Sequence, residues 1–145
     1  MKRILVVGAG GQIGTELVPH LQKHYGYDNV IAADLRPEIV EKLSRNSRAL
    51  TLNALDMEEY AKVVKRENVD AIFNLVALLS ATGEKNPQLA WNINMGALNN
   101  SLEVARQHHC AVFTPSSIGA FGPTSPKDMT PQDTIMQPTT IYGIC

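Results

Sequence analysis

A short apolar run followed by four glycines within seven residues is the feature that most constrains the fold of this chain. Ile4–Val7 is rich in β-branched residues, and residues 8–14 follow it directly. Gly8, Gly11 and Gly14 fit the pattern GxxGxxG, whereas the commoner GxGxxG would need a glycine where this chain has Ile13. Glycines at these points let a backbone turn tightly from a strand into a helix and approach a phosphate group closely.

A glycine-rich turn between a strand and a helix is typical of a phosphate-binding site. The first N–H groups of a helix have no acceptor within the helix, and the helix dipole places partial positive charge there. We therefore expect Gly8, Gly11, Gln12, Ile13 and Gly14 to bind the pyrophosphate of a dinucleotide. The alternative is a glycine-rich turn without a ligand, which the surrounding strand and helix pattern makes less favourable.

Short apolar runs alternate with segments of helical period along the chain. The spacing of Ile13, Leu17, Val18 and Leu21 predicts a helix after the glycines. Further strands are predicted at residues 30–33, 49–52, 71–77 and 111–114, and helices at 37–43, around 60–64 and at 87–109, where Leu98, Leu102 and Ala105 form one face. This alternation predicts a Rossmann-type, doubly wound parallel sheet of the α/β class with strand order 3-2-1-4-5.

Charged side chains follow the second and third predicted strands. Asp34 ends the second strand, where a carboxylate accepts hydrogen bonds from the ribose hydroxyls of NAD and repels the 2′-phosphate of NADP. Arg36 stands two residues further on and is the kind of residue that holds that phosphate. Asp56 follows the third strand, where it would either meet the adenine or cap the helix beginning at Met57. We expect NAD as the cofactor, with all three residues among the candidates for binding it.

Four later segments carry a family resemblance. They are residues 74–81 (NLVALLSA), 86–95 (NPQLAWNINM), 115–124 (PSSIGAFGPT) and 140–144 (TIYGI). Together with GxxGxxG and Asp34 they resemble the extended short-chain dehydrogenase/reductase family, also described as the NAD-dependent epimerase/dehydratase family, and within it most specifically the threonine dehydrogenases. The resemblance covers essentially the whole chain and implies NAD-dependent oxidation of L-threonine to 2-amino-3-oxobutanoate.

The resemblance also implies roles for individual residues. The family uses a Ser or Thr after the fifth strand and a Tyr-x-x-x-Lys pair, which match Ser117 and Tyr142. Tyr142 would act as the base, while Ser117 would hydrogen-bond the reacting oxygen. Ser80 is expected to contact the substrate together with these two. The cofactor-binding candidates implied by the same segments are Leu75, Ala77, Asn94 and Tyr142.

The lysine of the family's pair would stand at position 146, one residue beyond Cys145. We therefore interpret residues 1–145 as one incomplete NAD-binding domain without the carboxy-terminal substrate region, and expect weak cofactor binding with little or no dehydrogenase activity. Two alternatives stay open: a nucleotide-sugar epimerase or dehydratase of the same family, and an NAD-binding fragment without catalysis. Residues 78–81 and 118–124 favour the threonine dehydrogenases over the sugar epimerases.

Charge and thiol content argue against several other classes of function. The net charge is −1, so no strong field attracts nucleic acid or an anionic membrane. No apolar run approaches the ~20 residues of a membrane span, and Met1 leads at once into a strand rather than a signal peptide. Cys110, Cys145, His20 and His24 match no metal-binding pattern. We expect a cytoplasmic, metal-free protein with a small-molecule substrate, and the resemblance implies a homodimer in the intact form.

Overall fold

A five-stranded parallel sheet lies at the centre of the computed structural model, which describes residues 3–145. Its strands are β1 (Ile4–Val7), β2 (Val30–Asp34), β3 (Arg48–Thr51), β4 (Ala71–Asn74) and β5 (Ala111–Phe113). They lie in the order β3-β2-β1-β4-β5, and every neighbouring pair is parallel. The predicted Rossmann-type α/β fold and its strand order are therefore confirmed.

Helices cover both faces of the sheet because the residues of each strand alternate between two cores. The helices are α1 (Gln12–Tyr25), α2 (Pro37–Leu43), α3 (Met57–Glu67), α4 (Ser80–Lys85), α5 (Pro87–His108) and α6 (Ile141–Ile144). Ile4 and Val6 pack in the core that contains Val18 of α1. Leu5 and Val7 pack in the opposite core, with α3 and α5. This alternation fixes the carboxyl end of β1 between the two helical layers.

One buried polar contact joins α3 to α5 in the second core. The hydroxyl oxygens of Tyr60 and Ser101 lie 3.2 Å apart, and the Ser101 hydroxyl donates to the Ala97 carbonyl at 2.7 Å. Burial raises the pKa of the Tyr60 phenol to about 12, although its contact with Ser101 acts the other way. Both hydroxyls are fully buried and paired, so they fix α5 against the core rather than weaken it.

Two apolar side chains do not lie on the buried faces predicted for them. Ile13 is 56% exposed, because the first turn of α1 extends beyond the end of β1. Leu102 is 51% exposed, because α5 packs on the sheet through Ala97, Ser101 and Val104. The helix also ends one residue earlier than predicted, at His108, and His109 follows it in a left-handed conformation with φ of 58°.

The segment after β4 differs most from the prediction, which extended this strand to residue 77. The strand ends at Asn74, because its partner β1 ends at the paired residue Val7 and the chain then turns away at Gly8. Ser80 begins the short helix α4, which the sequence patterns did not predict. The predicted strands at 49–52 and 111–114 are each displaced or shortened by one residue, to Arg48–Thr51 and Ala111–Phe113.

The thiols and histidines of residues 3–145 are not grouped into a metal-binding site. Cys110 and Cys145 are free, and burial raises the pKa of each thiol, with the charges of Asp70 and Glu84 respectively adding to the effect. In this part of the chain, no group of three or more His, Cys, Asp or Glu side chains is arranged to hold a metal ion. Its helices are also too short or too polar to cross a membrane.

Candidate cofactor-binding and active site

Two adjoining clefts open over the carboxyl ends of the strands, where ligands bind in doubly wound sheets. Each has a volume of about 260 Å³, and both are bounded by Val76 and Ala77 of the segment after β4. We call the one beside the glycine loop the glycine cleft, lined among others by Gly8, Gly11, Asp34 and Leu75. The other, the tyrosine cleft, is lined among others by Asn94, Ser117 and Tyr142. Those predicted site residues that line the clefts therefore divide into two neighbouring groups.

The glycine loop turns at Gly8, which has a φ of +82°. Its N–H donates to the Ala33 carbonyl at 2.9 Å, and a Cβ at this position would lie 3.0 Å from the carbonyl carbon of Leu75. Gly14 packs so closely on Ala9 that a Cβ there would lie 2.6 Å from the Ala9 Cα. Gly11 lies at the mouth of the loop, where it lines the glycine cleft. The close packing of the loop therefore leaves no room for a side chain at Gly8 or at Gly14.

The loop presents backbone N–H groups beside the glycine cleft. Gln12 and Ile13 are exposed in the first turn of α1, whose N–H groups lack acceptors within the helix. Their side chains do not line either cleft, so any contact with a phosphate would be made by the backbone. The loop therefore fits a pyrophosphate, with a close-packed turn below it and unsatisfied donors above.

Asp34 is buried at the edge of the glycine cleft, with a residue exposure of 5%. Its carboxylate accepts hydrogen bonds from the Gly10 N–H at 3.0 Å and from the N–H and Nε of Arg36 at 3.1 and 3.0 Å. Burial by itself would raise the pKa of this carboxyl, but the bonds from Arg36 and Gly10 outweigh it and the pKa is lowered. Asp34 is consequently charged at neutral pH, and the half-exposed Arg36 side chain covers its outer side.

The loop after β3 contributes residues that differ from the predicted one. Asp56 caps α3, since its Oδ1 accepts from the Glu59 N–H at 3.0 Å, and it does not line the clefts. Asn53 and Ala54 of the same loop line the glycine cleft instead. Sequence reasoning missed Asn53, although a signal was present: it follows β3 at the edge where Asp34 ends β2. Asn74 ends β4 in the same way and lines the tyrosine cleft.

Asn94 holds the wall between the two clefts, which is the segment of Val76 and Ala77 that lines both of them. Its Oδ1 accepts from the Leu78 N–H at 2.7 Å, and its Nδ2 donates to the Leu78 carbonyl at 3.3 Å. This paired contact holds the backbone after β4, where Leu75 and Ala77 line the glycine cleft. Asn94 also lines the tyrosine cleft, although both atoms of its side-chain amide are engaged by Leu78.

Ser117 and Tyr142 meet in the tyrosine cleft, although they lie on separate segments. A Cβ on Gly119 would lie 3.4 Å from the Ser117 Oγ and 3.5 Å from the Tyr142 Cδ1, so one small residue separates them. The Ser117 Oγ accepts from the Gly119 N–H at 3.1 Å, which leaves its own hydrogen available to a ligand. Ser80 is not brought to this group: it lies exposed in the first turn of α4, outside the lining of both clefts.

The chain matches known proteins over nearly all of its length. An uncharacterized epimerase/dehydratase of Staphylococcus aureus is 49% identical over 144 residues, which cover 99% of this chain and 45% of the relative. An L-threonine dehydrogenase from Clostridium difficile superimposes with a TM-score of 0.93 at 46% identity, again over 99% of this chain and 45% of that one. A UDP-glucose 4-epimerase from Thermotoga maritima gives a TM-score of 0.86 at 27% identity, over 98% of this chain and 47% of that one.

The chain thus spans about 45% of the length of the relatives that it matches at high identity. The model of the NAD dependent epimerase/dehydratase family matches residues 4–145, which include both clefts and all five strands of the sheet. On this evidence the chain belongs to the NAD dependent epimerase/dehydratase family.

Proposed function

We propose that this chain is the NAD-binding part of an L-threonine 3-dehydrogenase, which oxidises L-threonine to 2-amino-3-oxobutanoate. One observation carries the choice of substrate. Over almost the same part of the chain, identity is 46% to the Clostridium difficile L-threonine dehydrogenase but 27% to the Thermotoga maritima UDP-glucose 4-epimerase. Because the backbones of both superimpose well, with TM-scores of 0.93 and 0.86, the distinction lies in the side chains rather than in the fold.

The glycine cleft fits the adenosine and pyrophosphate of NAD. Gly8, Gly11 and Gly14, with the backbone of Gln12 and Ile13, would hold the pyrophosphate. The charged Asp34 carboxylate would accept from the ribose hydroxyls, with Arg36 on its outer side. The hydrophobic walls at Leu75 and Ala77 would exclude water from the bound cofactor. Asp56 would contribute only indirectly, by capping α3 behind the adenine side.

The tyrosine cleft holds the two side chains of this chain that we propose to act on the substrate hydroxyl, Ser117 and Tyr142. When bound, NAD accepts the hydride from the carbon that bears the hydroxyl. Tyr142 would take the hydroxyl proton, and Ser117 would donate a hydrogen bond to the same oxygen. Asn94 would keep the wall between the clefts in place. Ser80 stays a proposed substrate contact, which would require α4 or the substrate to extend beyond the described cleft.

To test the proposed function, two proteins are compared: residues 1–145 alone, and a longer form that continues through a lysine at position 146 and the downstream region. We expect the longer form to reduce NAD with L-threonine, and the shorter form to bind NADH weakly with little turnover. Interconversion of UDP-glucose and UDP-galactose without threonine oxidation would replace the proposed substrate with a nucleotide sugar. Threonine turnover by residues 1–145 at the rate of the longer form would show that catalysis needs no lysine beside Tyr142.

We also propose that the intact protein is a cytoplasmic homodimer that uses α5 as part of its interface. Trp91 and Leu102 are large apolar side chains that remain exposed on the same side of α5. Large apolar groups exposed on one side of a helix are typical of an association surface. Light scattering of the longer form would give its mass directly, and a monomer at micromolar concentration would contradict this proposal.

A further inference from the structure

The short helix α4 connects the wall between the clefts to the helix that carries Tyr142. It begins directly after the backbone that Asn94 holds at Leu78. A Cβ on Gly83 would lie 3.3 Å from the Ala90 Cβ of α5 and 3.9 Å from the Ile141 Cγ2 of α6. Helix α4 therefore packs against α5 and α6 together.

The N–H of Tyr142 needs an acceptor from outside its own helix. It lies in the first turn of α6, where N–H groups have no intrahelical partner. The neighbouring Gly143 N–H is satisfied by the Thr140 Oγ at 3.0 Å. For Tyr142 the acceptor is the Glu84 Oε1 of α4, at 3.2 Å. The carboxylate of one helix thus completes the first turn of another.

We infer that Glu84 is a positioning residue for Tyr142, whose backbone N–H it binds so that the first turn of α6 is held against the tyrosine cleft. A carboxylate is suited to this place because negative charge at a helix N-terminus is favourable. Its importance for function rests on the proposed role of Tyr142, while the contact itself can be measured without any turnover. Glu84 acts through the backbone and has no assigned contact with substrate or cofactor.

Amide exchange at Tyr142, measured by NMR on the 145-residue chain, tests the contact. We expect Glu84→Ala to speed exchange of the Tyr142 N–H about 5-fold, as loss of one hydrogen bond would. Glu84→Gln retains an acceptor oxygen and should restore most of the protection. Glu84→Asp is shorter by one methylene and should not. Glu58→Ala, which removes an exposed carboxylate on α3, is the matched control and should leave the Tyr142 N–H unchanged.

A second measurement uses Cys145, which lines the tyrosine cleft together with Tyr142. Burial raises the pKa of its thiol, and the Glu84 charge raises it further. Removing that charge in Glu84→Gln should therefore lower the thiol pKa and speed alkylation of Cys145 by iodoacetamide near pH 8, with Cys110 as the internal reference. The Cys145 thiol therefore reports, independently of amide exchange, whether the Glu84 carboxylate lies beside the end of α6.

Three results would overturn the inference. Unchanged Tyr142 exchange in a folded Glu84→Ala chain would show that the contact is not formed in solution. Equal acceleration throughout α5 would show that Glu84 affects overall stability rather than Tyr142. If Glu84→Ala fails to fold, Glu84→Asp decides: normal protection of the Tyr142 N–H in that variant would also contradict the proposed geometry.

Discussion

Asp34→Asn should reduce the preference for NAD over NADP about 10-fold. A phosphate ~5 Å from a carboxylate meets a repulsion of about 3 kcal/mol per unit charge at an effective dielectric constant of ~20. The Arg36 Nε lies 3.0 Å from the Asp34 Oδ1, and this partly exposed cation offsets a good part of that repulsion. If about half of the repulsion between carboxylate and phosphate remains, then removing the Asp34 charge changes the relative binding free energy by about 1.4 kcal/mol. This corresponds to a factor of ten in the ratio of the two dissociation constants.

The same substitution should also lower the free energy of unfolding. The two Asp34 oxygens accept from donors on opposite sides, the Gly10 N–H on Oδ2 and the Arg36 N–H on Oδ1. An asparagine has one acceptor oxygen, so its NH₂ group must face one of these donors. An unsatisfied buried donor costs about 1–3 kcal/mol, and we expect a loss within that range in urea unfolding.

The pH dependence of this loss has a definite sign. Burial raises the pKa of Asp34, but the bonds from Arg36 and Gly10 lower it by more, so the folded value lies below the ordinary one. The charged form therefore contributes stability above the unfolded pKa of ~3.9, and this contribution disappears as the pH falls through the folded pKa. The difference in stability between wild type and Asp34→Asn should be constant from about pH 5 to 7 and shrink only in acid.

Titration calorimetry with NADH and NADPH measures the selectivity, and Asp128→Asn is the matched control. Asp128 is exposed in the loop after β5, so its substitution changes the net charge equally without touching the clefts. The control should keep the wild-type ratio of the two dissociation constants. A wild-type ratio in folded Asp34→Asn would refute the assignment of cofactor selectivity to this carboxylate.

Further substitutions test the turn, the core and the chemistry. Gly8→Ala should lower the free energy of unfolding by about 2 kcal/mol in urea, because of its φ of +82° and its 3.0 Å approach to Leu75. Tyr60→Phe should cost about 1 kcal/mol by the same method, because it removes the hydroxyl that pairs with Ser101. Tyr142→Phe, in the longer form, should reduce kcat for threonine at least ~10²-fold in steady-state assays.

The order of the strands could be predicted because alternating strand and helix patterns leave few topologies for a parallel sheet. The end of β4 could not. Residues 75–77 are apolar like the strand before them, but they line the glycine cleft, and the last backbone bond to β1 is the one from the Leu75 N–H to the Val7 carbonyl at 2.9 Å. An apolar run shows that residues avoid water without showing whether a sheet or a ligand site surrounds them.

The site was predictable where the strands determine it. Asp34 ends β2 and the glycines follow β1, so the sheet brings them together once its register is set. Helix α4 was not predictable, because serine, threonine and glycine disfavour helices and its stability comes from packing on α5 and α6. Glu84 was missed for the same reason, since its contact with Tyr142 spans 58 residues of sequence and depends on that packing.

The buried face of α5 shows why the size of apolar residues was a poor guide to this helix. Ala90, Ala97 and Val104 are fully buried at intervals of seven residues, about two helical turns. Asn94 and Ser101 have the same spacing, so one helix face reaches both the cleft at Leu78 and the core at Tyr60. Small residues allow α5 to approach the sheet closely, while its largest apolar side chains point away from it. One helix therefore carries both the buried contact with Tyr60 and the contact that holds Leu78, so a displacement of α5 would move the wall between the clefts.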